Sequence, residues 1–310
     1  MSHKETAVRL ERLPVEAYRH KDSLRYSDTN GLYGLFDALF GKTSVVLLGP
    51  AGVGKSLAVA SWAEQHNIPM VTVDCSEDLR ANRLLGAYTL RGAETPFILG
   101  PIPTAFEIAN EVGKCILNFE EISALSPQAQ KLLNPIMDFR CRIEVSEAGK
   151  VFALEPGKIL WVIGSMNTAG YGGTFQLNED LLSRMELVVL DYPEPEHEKQ
   201  IIKQILPSEV FATLSRSEGK AKASVIDGML TLARETRQRT AGLEYTLSPR
   251  DVVRALLNVS YVGLTPALQL LLGKYDGEAR ATIKARITSI FTGVTLPSLP
   301  EDRLLKDARS

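Results

Sequence analysis

A glycine-rich segment carries the clearest chemistry in this chain. Residues 49–56 read Gly-Pro-Ala-Gly-Val-Gly-Lys-Ser, after an apolar β-type run and before residues typical of a helix. Backbone N–H groups in such a turn point inward and bind an anion, and the following helix adds the positive end of its dipole. Lys55 is placed to reach the β- and γ-phosphates of a nucleotide, and the Ser56 hydroxyl to bind Mg²⁺. The residues expected to contact nucleotide are Gly49, Pro50, Ala51, Gly52, Val53, Gly54, Lys55, Ser56 and Leu57.

Two acids follow the apolar strand at 115–119. They are Glu120 and Glu121. In phosphate-loop enzymes an acid at this place holds Mg²⁺, and the next one orients the attacking water. Glu120 would therefore serve the metal and Glu121 the water, although a solvated acidic pair at a helix start has the same pattern. Aspartate is usual at the first position, so the longer Glu120 also admits a slow or inactive enzyme.

The elements that must position these residues alternate between strand and helix. Apolar β-type runs occur at Ser44–Leu48, Pro69–Val73, Cys115–Phe119, Ile159–Gly164 and Glu186–Leu190. This pattern predicts an α/β fold with a five-stranded, mostly parallel sheet covered on both faces, and a nucleotide site at the carboxyl ends of its strands. Two β-hairpins are predicted within it, at 87–99 and 142–154.

Beyond the proline-broken segment 191–195 only helical patterns remain. They occur at Glu196–Ile205, Ala223–Thr236, Pro249–Ser260, Pro266–Gly273 and Glu278–Phe291. We expect an N-terminal extension over 1–27, an α/β nucleotide-binding core over 28–192, a helical lid domain over 193–295 and a tail over 296–310.

Composition excludes several other classes of protein. The 310 residues are 45% hydrophobic and 23% charged, with a net charge of −2, so there is no basic excess for nucleic acid. No apolar run approaches a membrane span, and the first residues lack the core of a signal peptide. Three distant cysteines and four scattered histidines give no metal-ligand spacing, so we expect a reduced, cytoplasmic protein without zinc.

Several short motifs recur in the order of a known family. They are Leu84-Leu85-Gly86 and Gly100-Pro101-Ile102-Pro103 around the first hairpin, Glu120-Glu121-Ile122-Ser123, Asn134-Pro135-Ile136-Met137-Asp138, Gly164-Ser165-Met166-Asn167-Thr168, Leu181-Leu182-Ser183-Arg184 and Leu247-Ser248-Pro249-Arg250. This order resembles the MoxR-type AAA+ ATPases, especially the CbbQ/NorQ and gas-vesicle GvpN relatives, from about residue 28 to residue 290. The phosphate loop is common to many families, whereas the two hairpins and the later polar motifs are much more specific.

The resemblance implies roles for three further residues. Asn167 would be sensor 1, which helps to position the water near the γ-phosphate. Arg184 would be an arginine finger acting on nucleotide bound to the neighbouring subunit, and Arg250 would be sensor 2 from the lid. Each also fits a plainer role, namely a turn asparagine, a cation at a helix C-terminus and a surface arginine.

The resemblance also implies an assembly and a task. It implies a homo-oligomeric ring, expected to be a hexamer, that hydrolyses ATP with Mg²⁺ and works as a chaperone, for example in cofactor insertion or enzyme activation. The partner would be a separate protein, in many relatives one with a von Willebrand factor A domain. The residues do not distinguish ATP from GTP, and they do not name the client.

Three other functions compete with this interpretation. A scaffold that holds nucleotide without turnover fits Glu120 and the polar Asn118 within its strand. An NTPase similar to the McrB-type GTPases, acting with a nucleic-acid-binding partner, shares Met166-Asn167-Thr168, but about 40 residues before the loop are too few for a typical DNA-binding domain. A small-molecule kinase would leave Asn167, Arg184 and the helical domain without a role.

Overall fold

The structure is a computed structural model that describes residues 8–20, 25–90, 92, 95–168, 177–216, 223–238, 243 and 245–296. The chain divides into two compact units, Met1–Asp191 and Tyr192–Ser310. The predicted C-terminal tail lies outside the described residues apart from Leu296, and so does part of the turn predicted for the first hairpin. No helix within the described ranges is long and apolar enough to cross a membrane.

The first unit is built on a parallel sheet. Its strands are β1 Leu10–Glu11, β2 Ser44–Gly49, β3 Met70–Asp74, β4 Gly86–Tyr88, β5 Phe97–Leu99, β6 Lys114–Glu120, β7 Arg142–Val145, β8 Lys150–Ala153, β9 Ile159–Asn167 and β10 Met185–Val189. Five of them form one sheet in the order β10-β2-β9-β6-β3, with every neighbouring pair parallel. The predicted five-stranded parallel sheet is confirmed, and the order places β2, which the phosphate loop follows, between the edge strand β10 and the central strand β9.

Helices cover both faces of this sheet. The helices of the first unit are α1 Leu32–Leu39, α2 Lys55–Gln65, α3 Ala81–Leu85, α4 Pro101–Val112, α5 Pro127–Lys131, α6 Asn134–Met137 and α7 Glu179–Leu182. On one face Phe36 of α1 lies 5.8 Å from Trp62 of α2 and 5.6 Å from Trp161 of β9, between ring centroids. On the other face Ile102 and Phe106 of α4 are fully buried. Burial on both sides explains why these strands are almost continuously apolar.

The two predicted hairpins are confirmed as the antiparallel pairs β4–β5 and β7–β8. The first is widened by β1, which pairs in parallel with β5 and which the sequence did not predict because two residues carry no alternation. Gly86 has a φ of 121°, and a Cβ built there would lie 2.4 Å from the Ile98 carbonyl oxygen, so this position requires glycine. The Tyr88 hydroxyl donates to the Glu147 carbonyl at 2.9 Å and joins the two hairpins.

The second unit is helical over the residues described. Its helices are α8 Pro195–Ile205, α9 Ser208–Leu214, α10 Val225–Arg237, α11 Pro249–Val262, α12 Leu264–Leu272 and α13 Gly277–Ile290. The sequence did not predict α9, because its seven residues directly follow a proline and are too few to show a helical period. The predicted helical domain is confirmed, and Ile226, Leu232, Leu256 and Ile283 are fully buried in its core.

A buried ion pair joins α8 to α10. Glu198 is 1% exposed, and its two oxygens accept from Arg237 Nη1 at 2.7 Å and Nη2 at 2.8 Å. Arg237 Nε also donates to the Leu247 carbonyl at 2.7 Å, and the guanidinium lies 4.2 Å from the centroid of the Tyr192 ring. Bidentate geometry with further partners is what makes such a pair favourable in a nonpolar interior.

Removing one member of this pair should destabilise the helical unit strongly. We expect Glu198→Ala to lower its free energy of unfolding by about 3–5 kcal/mol, because Arg237 would be left buried without its carboxylate. The matched control is Glu235→Ala, since Glu235 and Arg286 form an ion pair whose side chains are 33% and 30% exposed. That variant should lose less than about 1 kcal/mol. Urea unfolding followed by circular dichroism measures both, and equal losses would contradict the prediction.

Candidate nucleotide-binding site

The phosphate loop connects β2 directly to α2. The predicted order of strand, loop and helix is confirmed, with the strand ending at Gly49 and the helix beginning at Lys55. Gly52 and Gly54 have φ values of 74° and 102°, a conformation that side chains other than glycine rarely adopt. The turn thereby brings backbone N–H groups and the positive end of an 11-residue helix to one place. This local geometry suits an anion such as a phosphate.

Carbonyl and amide oxygens hold Lys55 inside the loop. Its Nζ donates to the carbonyls of Gly49 at 2.8 Å and Pro50 at 2.9 Å, and to Asn167 Oδ1 at 3.0 Å. Asn167 is the last residue of β9 and pairs in register with Gly49. The structure therefore brings the predicted sensor residue and the loop lysine into direct contact, although they are 112 positions apart in sequence.

The Tyr26 ring packs against Gly54 of the phosphate loop. A Cβ built on Gly54 would lie 3.2 Å from the Tyr26 ring, and the Tyr26 backbone N–H donates to the Ser61 hydroxyl at 3.0 Å. Burial, with smaller contributions from Asp28 and Tyr33, raises the pKa of the Tyr26 hydroxyl to about 12, so the ring stays neutral at physiological pH.

Substituting Gly54 should disturb nucleotide binding specifically. We expect Gly54→Ala to weaken nucleotide affinity by at least about tenfold, because both its φ and the Tyr26 ring oppose a side chain there. Gly149→Ala is the control, since Gly149 has a φ of 58° and no atom within 4 Å of a built Cβ. Both variants carry backbone strain, but only the first should lose affinity in a titration with a fluorescent nucleotide. Similar affinity in the two would contradict the prediction.

Glu120 ends β6 and is fixed by three donors. Its Oε2 accepts from the Ser56 hydroxyl and from the Ser165 hydroxyl, the latter at 2.7 Å, and its Oε1 accepts from Asn118 Nδ2 at 2.8 Å. Sequence reasoning missed Ser165 and treated Asn118 only as an irregularity. Their spacing could have indicated both residues, because side chains two positions apart in a strand lie on the same face of the sheet. Asn118 precedes Glu120 by two positions, and Ser165 precedes Asn167 by two.

This donor set fits Mg²⁺. Magnesium prefers hydroxyl and carboxylate oxygens and keeps several of its waters, so one or two protein ligands suffice. Ser56 and Glu120, the two predicted ligands, lie in direct contact. Within the described residues no group of three or more His, Cys, Asp or Glu side chains is arranged to hold a metal. A site of this kind would therefore be completed by substrate phosphates and water.

Glu121 begins the turn that follows β6. It is exposed and adopts the left-handed conformation, with φ 56° and ψ 47°, and its backbone N–H donates to the Ser165 hydroxyl at 3.3 Å. A glutamate in this conformation is uncommon, and such strain concentrates at functional sites. Cys75 lies near the same acids. Burial, with smaller contributions from the charges of Glu120, Asp74 and Glu121, raises the pKa of its thiol to about 12.

The structure does not bring Arg184 to the phosphate loop of its own chain. Arg184 directly precedes β10, whose first residue pairs with Ser44 at the start of β2. At about 3.3 Å per residue, Arg184 lies about 20 Å from the loop along the strand direction, at the amino ends of the strands. Its guanidinium donates to the Asp180 carbonyl on its own segment. Arg250 belongs to the second unit, where it is exposed as the second residue of α11.

These features define a phosphate-loop nucleotide-binding protein, and comparisons with known proteins identify its family. The model of the AAA domain, dynein-related subfamily, matches residues 44–185. Uncharacterized proteins of Staphylococcus aureus strains USA300 and COL are each 30% identical over 197 residues, which is 62% of this chain and 70% of theirs. A solved structure of a proposed ATPase from Cytophaga hutchinsonii is similar with a TM-score of 0.46 and 16% identity, over 92% of this chain and 89% of that one. The chain belongs to the AAA ATPase family, and its domain is of the dynein-related type.

Proposed function

We propose that this chain hydrolyses ATP with Mg²⁺ as a subunit of a ring and uses the energy to remodel or activate a partner protein. The observation that carries the proposal is the meeting of Lys55, Ser56, Glu120 and Asn167 at one edge of the sheet. A loop that only bound phosphate would not require an acid and an amide from two other strands beside it. Turnover does require them, because charge must be neutralised and a water positioned.

Each residue of the site has a distinct task in this proposal. Lys55 binds the β- and γ-phosphates, and Glu121 orients the attacking water and accepts its proton. Ser56 and Glu120 hold Mg²⁺, which when bound spreads the negative charge of the phosphates. Asn167 fixes the lysine head and supplies a polar contact close to the γ-phosphate.

The position of Arg184 supports action on a neighbouring subunit. Arg184 lies at the amino ends of the parallel strands, whereas its own phosphate loop lies at their carboxyl ends. A role at a phosphate therefore requires a second copy of the chain. A closed ring, proposed here to be a hexamer, supplies such a copy to every site.

Arg250 is proposed to contact the nucleotide as sensor 2. Arg250 is the second residue of α11, which is an unfavourable position for a cation because the N-terminus of a helix carries partial positive charge. A nearby phosphate would remove that conflict. The second unit would then respond to whether nucleotide is present.

The order of motifs supports the MoxR-type branch of the family. In that branch the two hairpins, joined here by the Tyr88–Glu147 hydrogen bond, would move as nucleotide turns over and pass the movement to a partner. A separate protein with a von Willebrand factor A domain is the kind of partner we propose. Capture with the assembled ring would identify the client.

The test is Mg²⁺-dependent ATP hydrolysis across a dilution series, with mass measured in parallel. We expect turnover per subunit to rise steeply where the ring assembles. Turnover that is independent of concentration, stimulation by DNA, or phosphate transfer to a metabolite would each contradict the proposal. An assembled ring that binds ATP without hydrolysing it, even with candidate partners, would favour the nucleotide-locked scaffold, for which the long arm of Glu120 is the supporting observation.

A further inference from the structure

A buried asparagine interrupts the apolar strand beside the candidate metal site. Asn118 in β6 is 1% exposed, and its neighbours on the same face include Ile116 and, in register on β9, Ile163. Its Oδ1 is buried and has no hydrogen-bond partner among the residues described. A buried amide oxygen without a partner destabilises a fold, whereas a leucine of similar size would not. Local stability therefore does not account for an asparagine at this place.

The other end of the same amide has a clear partner. Asn118 Nδ2 donates to Glu120 Oε1 at 2.8 Å, which the two-residue period of the strand makes possible. The second carboxylate oxygen, Oε2, accepts from Ser165 Oγ at 2.7 Å, and Ser165 is 3% exposed on the neighbouring strand. Two strands thus hold one carboxylate, each by a different oxygen.

The Ser165 hydroxyl is itself oriented. It accepts from the Glu121 backbone N–H at 3.3 Å, so its single proton is directed to Glu120. A glutamate side chain has one more rotatable bond than an aspartate and reaches more positions around the loop. With both oxygens held, it is restricted to the position beside Ser56. Oε1 keeps a second lone pair, and the second lone pair of Oε2 accepts from Ser56, the other proposed metal ligand, so the donors Asn118 and Ser165 do not exclude a metal or a metal-bound water.

We infer that Asn118 and Ser165 are positioning residues that fix the Glu120 carboxylate beside Ser56, and thereby allow a glutamate to serve where an aspartate is usual. The inference rests on the proposed function, because it concerns Mg²⁺ held between Ser56 and Glu120. Outer residues that orient a metal ligand typically change metal affinity about 10–100-fold when they are lost. The asparagine at position 118 and the glutamate at position 120 thus form one arrangement, in which the first holds the second in place.

The test compares Asn118→Leu and Ser165→Ala with the wild-type protein. Two quantities are titrated with Mg²⁺, namely ATP turnover and, independently, the affinity for the fluorescent analogue mant-ATP. We expect both variants to need about 10–100-fold more Mg²⁺ for half-saturation. The unfolding temperature of Asn118→Leu should be equal to that of the wild type or higher, because the variant removes a buried amide.

A control and a second background separate positioning from general disturbance. Thr72 pairs with Asn118 in register on β3 but is exposed, so Thr72→Val should leave the Mg²⁺ titration unchanged. In a Glu120→Asp background the carboxylate is one methylene shorter and moves away from the Asn118 amide. Adding Asn118→Leu there should change half-saturation less than about threefold, which is the non-additivity expected of residues in contact.

The outcomes are distinguishable. The inference is overturned if Asn118→Leu and Ser165→Ala both titrate like wild type, or if Asn118→Leu has the same effect in the Glu120→Asp background. Should Asn118→Leu fail to fold, Ser165→Ala decides the matter alone. A wild-type protein whose mant-ATP affinity and turnover do not respond to Mg²⁺ would refute the proposed function itself, and the inference with it.

Discussion

Replacing Glu121 by glutamine is expected to lower ATP turnover by a factor of about 10²–10⁴ while nucleotide binding is kept. The amide has the same size as the carboxylate but cannot accept the proton of the attacking water. Nucleotide affinity should stay the same or rise, because one negative charge is removed from a site that receives phosphates. Single-turnover hydrolysis and a binding titration on the same preparation measure the two quantities.

A surface acid provides the control for Glu121. Glu144 is an exposed residue of β7, so Glu144→Gln makes the same chemical change at another exposed position. It should leave turnover and binding unchanged. The thermal unfolding of Glu121→Gln should also match wild type, because the exposed side chain makes no packing contribution and glutamine adopts the left-handed backbone no less readily than glutamate. A Glu121→Gln protein that hydrolyses ATP at more than about a tenth of the wild-type rate would exclude the proposed role.

Truncating Arg184 is expected to lower turnover by about 10³–10⁵, the range for an arginine finger in phosphate-loop enzymes. The loss should occur without loss of assembly or of nucleotide binding, because the hydrogen bonds that the guanidinium makes to described residues go to the Asp180 carbonyl and the Ser183 hydroxyl beside it in sequence. Arg142→Ala is the control, since Arg142 is an exposed arginine of β7. Turnover, mass and binding are measured on the same samples.

A mixing experiment tests whether Arg184 acts on the neighbouring subunit. The Glu121→Gln and Arg184→Ala proteins are each expected to be inactive alone. When they assemble together, some sites combine an intact Glu121 of one subunit with an intact Arg184 of the next, and turnover should reappear. If mixtures that are shown to co-assemble stay inactive at every ratio, Arg184 does not act in trans.

Local features of the fold were predictable from the sequence because their causes are local. The left-handed turn at Gly52 and Gly54 needs glycine, and the apolar run before it is typical of a strand buried on both sides. The order of strand, loop and helix could therefore be predicted from these residues. The hairpin at β7–β8 followed from alternation. By contrast, β1 and α9 are short elements that exist because their neighbours stabilise them, and their own residues carry no period.

The side-chain contacts within the site were harder to predict from the sequence, for a different reason. Sequence spacing predicted that strand ends meet at one edge of the sheet, but the order of the strands was not predicted. That order makes β9 a direct neighbour of β6 and so brings Ser165 beside Glu120. It also decides that Asn167 reaches Lys55. Side-chain contacts between strands depend on which strands are neighbours, and strand adjacency is a property of the whole chain.

The sequence by itself determined that this chain carries a nucleotide loop on an α/β core followed by a helical unit, because backbone conformation and burial pattern are local in cause. Only the tertiary structure decided that Asn118 and Ser165 hold Glu120, and that Arg184 lies at the amino ends of the strands, away from its own loop. Both facts depend on the register of parallel strands that are distant in sequence. Register is set by the packing of the entire sheet against its covering helices, which short motifs do not specify.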